Sequence, residues 1–145
     1  MEKKYTRILV GMDGSAESLK AFDEALRIAK RNDAALILAN VIEQRSFLAV
    51  NTYDTIAEER HEAGTKILLE QFAQEATDAG VSKVETVLQY GSPKVLMSTK
   101  IPKEENVDLI VVGATGISYI ERVVVGSVAS YIVNHAPCNT LIVRK

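Results

Sequence analysis

The chain has 145 residues, 47% of them hydrophobic and 25% charged, with 17 basic against 19 acidic side chains and a net charge of −2. This is enough apolar chain for one buried core, and the near-neutral balance excludes nucleic acid as the main partner, because backbone binding needs a basic footprint. No apolar run is long enough to span a bilayer, the start Met1-Glu-Lys-Lys-Tyr5 lacks the apolar stretch of a signal peptide, and Cys138, the one cysteine, excludes an internal disulfide or a cysteine metal cluster. The expectation is a cytoplasmic protein of one domain, residues 1–145, without a membrane partner.

In chain order, Ile8-Leu-Val10 reads as a first strand, followed by the loop Gly11-Met12-Asp13-Gly14-Ser15. Ser15 stands where an N-cap belongs, and Leu19, Phe22, Leu26 and Ala29 recur at helical spacing, which predicts a helix over about residues 16 to 31. Ala34 to Ala39 reads as the second strand and Glu43 to Tyr53 as a loop. A long helix from about Asp54 to Ala79 carries Ile67, Leu68, Phe72 and Ala76 and stops at Gly80, with His61 in its exposed register. Val84 to Leu88 is the third strand. Ser92-Pro93 starts a third helix that Pro102 is expected to end early, leaving it short or irregular. Leu109-Ile-Val-Val112 is the fourth strand, Ser127 to His135 the last helix, stopped by Pro137, and Leu141-Ile-Val143 the fifth strand.

Short, mostly continuous apolar runs alternating with helical segments predict an α/β fold, an open five-stranded parallel sheet buried on both faces by helices. In such sheets ligands sit beyond the carboxyl ends of the strands, where the strand order reverses. Four loops answer that description, after Val10, after Asn40-Val41, after Tyr90-Gly91 and after Val112.

The chemistry concentrates in Gly113-Ala-Thr-Gly116, nine residues, then Gly126-Ser127-Val-Ala129. Small residues there let backbone N–H groups and a helix N-terminus approach a phosphate, although Gly113 and Gly116 equally suit a tight strand exit and Ser127 a helix cap. Asp13 has two readings, a carboxylate for ribose hydroxyls or magnesium, and a turn residue that helps cap the first helix. Neither the P-loop pattern nor G-x-G-x-x-G after the first strand is present. Met12 and Met97 read as packing residues, Cys138 as a small core filler, and Arg122 as a solvated charge more than as a phosphate contact. His135 suits the negative end of its helix.

Together the residues resemble the ATP-binding branch of the universal stress protein family. Ile8-Leu-Val-Gly-Met-Asp13-Gly-Ser15 is similar to its first strand and loop. Gly113-x2-Gly116-x9-Gly126-Ser127 is similar to its ATP signature, and His135-Ala-Pro-Cys138-Asn-Thr-Leu-Ile-Val143 to its closing helix and strand. The resemblance implies a Rossmann-like three-layer sandwich of the adenine-nucleotide alpha-hydrolase type. It also implies ATP, AMP or ADP as ligand, with Mg2+ at Asp13 a weaker expectation. Gly11, Met12, Asp13 and Val41 would hold the adenosine, with Asp13 toward the ribose. Gly113, Ala114, Thr115, Gly116, Ile117, Ser118 and Tyr119, with Gly126, Ser127, Val128 and Ala129, would wrap the phosphates. Gly11 stands where many members have proline, and Ala114-Thr115 where a basic or polar pair is frequent.

Members commonly dimerise by edge pairing of the last strand, here Thr140 to Val143, which would cover an apolar edge prone to aggregation. The function expected is a nucleotide-responsive stress-response dimer acting on an unknown protein partner, without catalytic residues. Two rivals stand beside it. One is a slow ATP hydrolase or nucleotidyl-transfer enzyme with magnesium at Asp13. The other is an interaction module whose pocket is empty or takes a cyclic nucleotide.

Overall fold

The structure is a computed structural model and describes residues 4–43, 52–114 and 125–144, with side chains of the second helix from residue 56 onward. Five strands, β1 (Arg7–Gly11), β2 (Ala35–Ile42), β3 (Val84–Tyr90), β4 (Leu109–Gly113) and β5 (Asn139–Val143), form one sheet in the order β3-β2-β1-β4-β5. Every pairing is parallel, with Leu9 opposite Ile37 on one side and Ile110 on the other. The helices are α1 (Ala16–Asn32), α2 (Thr52–Asp78), the short α3 (Pro93–Val95) and α4 (Ile101–Glu104) with a π turn between them at Leu96–Lys100, and α5 (Ser127–His135).

Alternation along the strands sorts the core into two layers. Ile8, Val10, Leu36, Leu38, Leu109 and Val111 point to the face covered by Ala21, Phe22, Ala25 and Ile28 of α1 and by Leu69 and Ala76 of α2, where Phe22 meets Phe72 edge to face at 5.0 Å. Leu9, Ile37, Ala39, Ile110 and Val112 point to the opposite face, under Leu96, Met97, Ile101, Ala129 and Ile132. The central strands are buried on both faces, as their unbroken apolar runs require. The expected α/β three-layer sandwich is observed, and Cys138 packs partly buried against the second layer.

Three local expectations differ from the structure. The expected irregularity is present, as α3, a π turn and α4 in succession, but Pro102 does not end the helix it lies in. The preceding residues widen into a π turn in which Ile101 N–H bonds Leu96 O, and the chain resumes α geometry with Pro102 in the first turn. A proline ring clashes with the carbonyl four residues before it, and the wider turn moves that carbonyl aside. On α2 the buried positions are Thr65, Leu69 and Ala76, while Ile67 is 56% exposed. Leu19 of α1 is likewise turned outward beside a buried stripe that begins at Ser18. The long helix starts at Thr52, and residues 44–51 of the expected loop lie outside the described residues.

The two ends of the sheet are built differently. At the amino end, Arg7 reaches from β1 to Glu85 Oε2 at 2.7 Å and to Glu105 Oε1 at 3.3 Å, and Asp108 accepts from the backbone N–H groups of Thr6 and Arg7. At the carboxyl end Gly113 lies directly under the first turn of α1. A Cβ there would stand 2.6 Å from Glu17 Cβ and 2.9 Å from Glu17 C, so only glycine lets helix and strand approach this closely.

Two tests follow from these contacts. Gly113→Ala is expected to cost about 1–3 kcal/mol, the usual range for forcing atoms into a packed interface, read as a lower urea midpoint with unchanged slope. The Tyr90 hydroxyl, at the end of β3, donates to Glu62 Oε1 of α2, and this bond pushes the Tyr90 pKa from 10.0 up to about 12. The same bond, helped by Lys66, lowers the Glu62 carboxyl below its ordinary 4.5. The raised Tyr90 value means stability fully present below pH 10 and lost as pH rises through about 12; the lowered Glu62 value means stability present above pH 4.5 and lost below it. The stability difference between wild type and Tyr90→Phe should therefore be flat through neutrality and shrink at both extremes, in denaturation curves taken across pH.

Candidate functional site

The sheet order reverses between β1 and β4. The chain leaves β1 toward α1 on one face and, past residue 124, enters α5 on the other, so a crevice opens above these two strands. Its first wall is the loop after β1. Asp13 Oδ1 accepts from Ser15 N–H at 2.9 Å, Gly14 takes a positive φ of 84°, and Ser15 Oγ accepts from Ser18 N–H at 3.1 Å as the N-cap of α1. The turn reading of Asp13 is therefore correct. It does not exhaust the residue, which is exposed and whose Oδ2 accepts from none of the described residues.

The second wall is the exit of β4. Ala114 N–H bonds Val143 O at 2.9 Å, extending the β4–β5 ladder, and Gly126 N–H bonds Ala114 O at 2.6 Å, setting the start of α5 against the end of β4. Gly126 is the N-cap of α5 and Ser127 its first residue, so Ser127 does not cap the helix. The first intrahelical bond runs from Ser130 N–H to Gly126 O at 2.9 Å. The N–H groups of Ser127, Val128 and Ala129 consequently have no acceptor among the described residues, as helix geometry requires of a first turn.

Between the walls lies a cavity of about 320 Å³, within the range of small-ligand sites. Of the residues singled out from the sequence, Gly11, Met12, Asp13, Val41, Gly113, Ala114, Gly126, Ser127, Val128 and Ala129 line it. Thr115, Gly116, Ile117, Ser118 and Tyr119 lie outside the described residues, as does Arg122. Tyr90 and Gly91 do not line the cavity; the third strand contributes through the helix that follows, with Pro93 and Met97. Met12 and Met97 are buried packing residues and at the same time part of the wall. Gly11 leaves room for them, since a Cβ at this position would lie 3.2 Å from the Met97 methyl.

Sequence reading missed Ser18, Ala39, Asn40, Pro93, Met97, Val112 and Ile132 as lining residues. Asn40 carried a signal, a polar side chain inside an apolar strand run; its Nδ2 donates to Met12 O and, with Met12 N–H bonding Ala39 O at 2.8 Å, ties the first loop to β2. Met97 carried none, because its direction depends on the π turn.

Asp13 is the one ionisable side chain among the described lining residues, so any positive potential they provide comes from backbone N–H groups and the α5 dipole. Among the described residues no group of three or more His, Cys, Asp or Glu is placed to hold a metal. One carboxylate suits magnesium only in company with ligand phosphates. Asp13→Ala leaves the Ser15 N–H without its acceptor and is expected to destabilise by roughly 0.5–1.5 kcal/mol, measured by urea denaturation without nucleotide.

The universal stress protein family model matches residues 4–144. A Staphylococcus haemolyticus protein that carries the universal stress protein designation is 44% identical over 140 residues, which span 97% of this chain and 85% of that protein. The structure of the universal stress protein UspA from Lactobacillus plantarum superposes with a TM-score of 0.87 at 34% identity, covering 99% of this chain and 100% of the other. A universal stress protein solved in complex with cAMP superposes at 0.74 with 28% identity, covering 98% of each chain. Matched along nearly its whole length in sequence and in fold, the chain belongs to the universal stress protein family.

Proposed function

We propose that this protein binds ATP in the β1–β4 crevice and acts as a nucleotide-responsive regulator through partner proteins rather than by turnover. The observation that carries the reading is the first turn of α5, whose three unbonded N–H groups, on Ser127, Val128 and Ala129, belong to residues lining the same cavity as Asp13 and Val41. A helix N-terminus of this kind holds phosphate oxygens without a basic side chain. The phosphates lie at Ala114 and Gly126 to Ala129, continued by Thr115 to Tyr119, and Asp13 offers its second oxygen to the ribose or, with the phosphates, to Mg2+. AMP and ADP fit the same arrangement with fewer phosphates. The solved relative bound to cAMP favours a second reading, in which a cyclic nucleotide occupies this cavity.

We read the site as one that supports at most slow hydrolysis. The described lining offers one carboxylate, already engaged at one oxygen, and neither a histidine nor an arginine to act on a transferring phosphoryl group. We further read the molecule as a single cytoplasmic domain that dimerises along β5. That strand is an edge of the sheet, and beside it Val125, Val133 and Ile142, together with Ser130, Asn134 and Arg144, line a shallow recess in which Val133 is 51% exposed. Among the described residues no helix is long and apolar enough to cross a membrane.

Thermal unfolding with ATP and magnesium, against GTP, AMP and cAMP, tests the ligand. At about 100 times its Kd a ligand adds roughly 2.7 kcal/mol, or about 5–10 °C for a chain of this size. Ser127→Glu puts a negative charge on the first residue of α5, which favours the helix but repels a phosphate, so the variant should keep its melting temperature and lose the ATP shift. An ATP shift retained in Ser127→Glu would place the phosphates elsewhere, and indifference of the wild type to all four nucleotides would favour the interaction-module reading.

A further inference from the structure

β3 is the outer strand of the sheet on the side of β2, and its whole length, Val84 to Tyr90, pairs with β2 in an unbroken register. The ladder is bounded by Leu36 N–H to Lys83 O at 2.9 Å and Gly91 N–H to Ile42 O at 3.0 Å. In a parallel ladder alternate residues turn both main-chain groups to the same neighbour, so Glu85, Val87 and Gln89 face β2. Val84, Thr86, Leu88 and Tyr90 therefore hold their N–H and C=O groups outward, and none of the described residues bonds these groups.

Edge strands are ordinarily blunted by proline, a bulge, a lysine on the strand or a very short length. β3 has 7 residues, no proline or glycine, no break in register, and one charge, Glu85, whose carboxylate is taken up by Arg7 of β1 at 2.7 Å. Thr86, near the middle of the strand, is exposed. The two ends are charged in opposite senses. Lys83, just before the strand, is exposed and has no ion pair among the described residues. The far end carries the Glu104 carboxylate, which accepts from Gln89 Nε2 at 3.2 Å.

We propose that the β3 edge is an interface, at which a second copy of this chain adds its own β3 in antiparallel pairing. Like edges meet only about a two-fold axis, which makes the pairing antiparallel. With the axis at Val87, Val84 lies opposite Tyr90 of the second copy and Thr86 opposite Leu88, so every outward N–H and C=O finds a partner. Moving the axis by one residue leaves Val84 or Tyr90 without a strand partner. The same register sets Glu85 opposite Gln89 and Lys83 opposite Gly91, and no like charges face each other. Gly91 has no side chain to obstruct Lys83, whose ammonium becomes a diagonal neighbour of Gln89 and Glu104 across the seam. The cationic start of each strand thus meets the acidic end of the other, and this self-complementarity favours a second copy over a foreign strand. The interface is distinct from one along β5, and both edges engaged at once extend the copies into an open row of sheets.

Sedimentation velocity is the test. Ala114 N–H bonds Val143 O, so Leu141 and Val143 face β4 and Thr140 holds its N–H outward on the β5 edge. Thr140→Pro confines association to β3, and this variant should be a concentration-dependent dimer between about 10 μM and 1 mM, the range of a small polar interface. Thr86→Pro removes an outward N–H that the fold itself does not use, and adding it should lower the association constant at least about tenfold. Lys83→Glu sets like charges across the seam and should lower it at least about threefold at low salt. A Thr140→Pro protein that stays monomeric up to about 1 mM overturns the proposal and leaves the edge to a foreign strand. A dimer indifferent to Thr86→Pro or to Lys83→Glu overturns it as well. Should either proline variant fail to fold, Val87→Cys in the otherwise unchanged chain decides. Val87 meets its own copy at a non-hydrogen-bonded position, with Cα atoms about 4.5 Å apart, within the span of a disulfide. Mild oxidation should give a dimer linked through the introduced thiols, identified by peptide mapping, and absence of that link overturns the proposal.

Discussion

The parallel pairing of β1 with β4 is the constraint on which the rest of the molecule depends. The two strands are hydrogen-bonded neighbours, yet α1 after the first and α5 after the second cover opposite faces, so no helix can close the joint between them. The gap is filled by loops and helix starts, which bring unpaired backbone groups. Gly113 belongs to the same constraint: α1 starts so near the joint that its first turn rests on β4, and a side chain at 113 would hold the two layers apart. At the opposite end Arg7, Glu85, Glu105 and Asp108 bind strands and connections together.

The cavity that results has a division of labour between backbone and side chain. Its side toward α5 presents main-chain N–H groups, from Ser127 to Ala129, and its side toward β2 presents the Asn40 amide, tied to Met12 O. Its floor is apolar, with Pro93, Met97, Val112 and Ile132 drawn from elements that also fill the core. Packing density and pocket shape are thus set by some of the same atoms, and Met97, close against Gly11, is the clearest instance.

What was legible in the sequence, and what was not, divides along the range of the forces involved. The five strands could be read because burial on both faces demands apolar runs such as Leu109 to Val112, and the α1 start because Ser15 caps it through its own side chain. The small residues at Gly113, Ala114 and Gly126 to Ala129 could be read because close backbone approach excludes larger ones, and the structure gathers them around one cavity. Ile67 was misread because period alone does not say which of several apolar stripes meets the sheet. Pro102 was misread because a proline's local veto on helix geometry was met by a change of helix type, which depends on Leu96, Met97 and Ile101 all being buried in one layer. Asn40 was passed over because its meaning lies in a bond to Met12, a residue distant in the chain.

The π turn at Leu96–Lys100 carries a consequence for the length of the chain as well as for its shape. A π turn is an α-helix with one residue more than its register needs, and each residue of an α-helix turns the side chains by about 100°. Deleting one residue here removes the widening that accommodates Pro102 and swings either Met97 out of the cavity or Ile101 out of the core. The segment can therefore exchange side chains over evolutionary time far more readily than it can lose a position. Its residue count, more than its composition, is what the pocket holds constant.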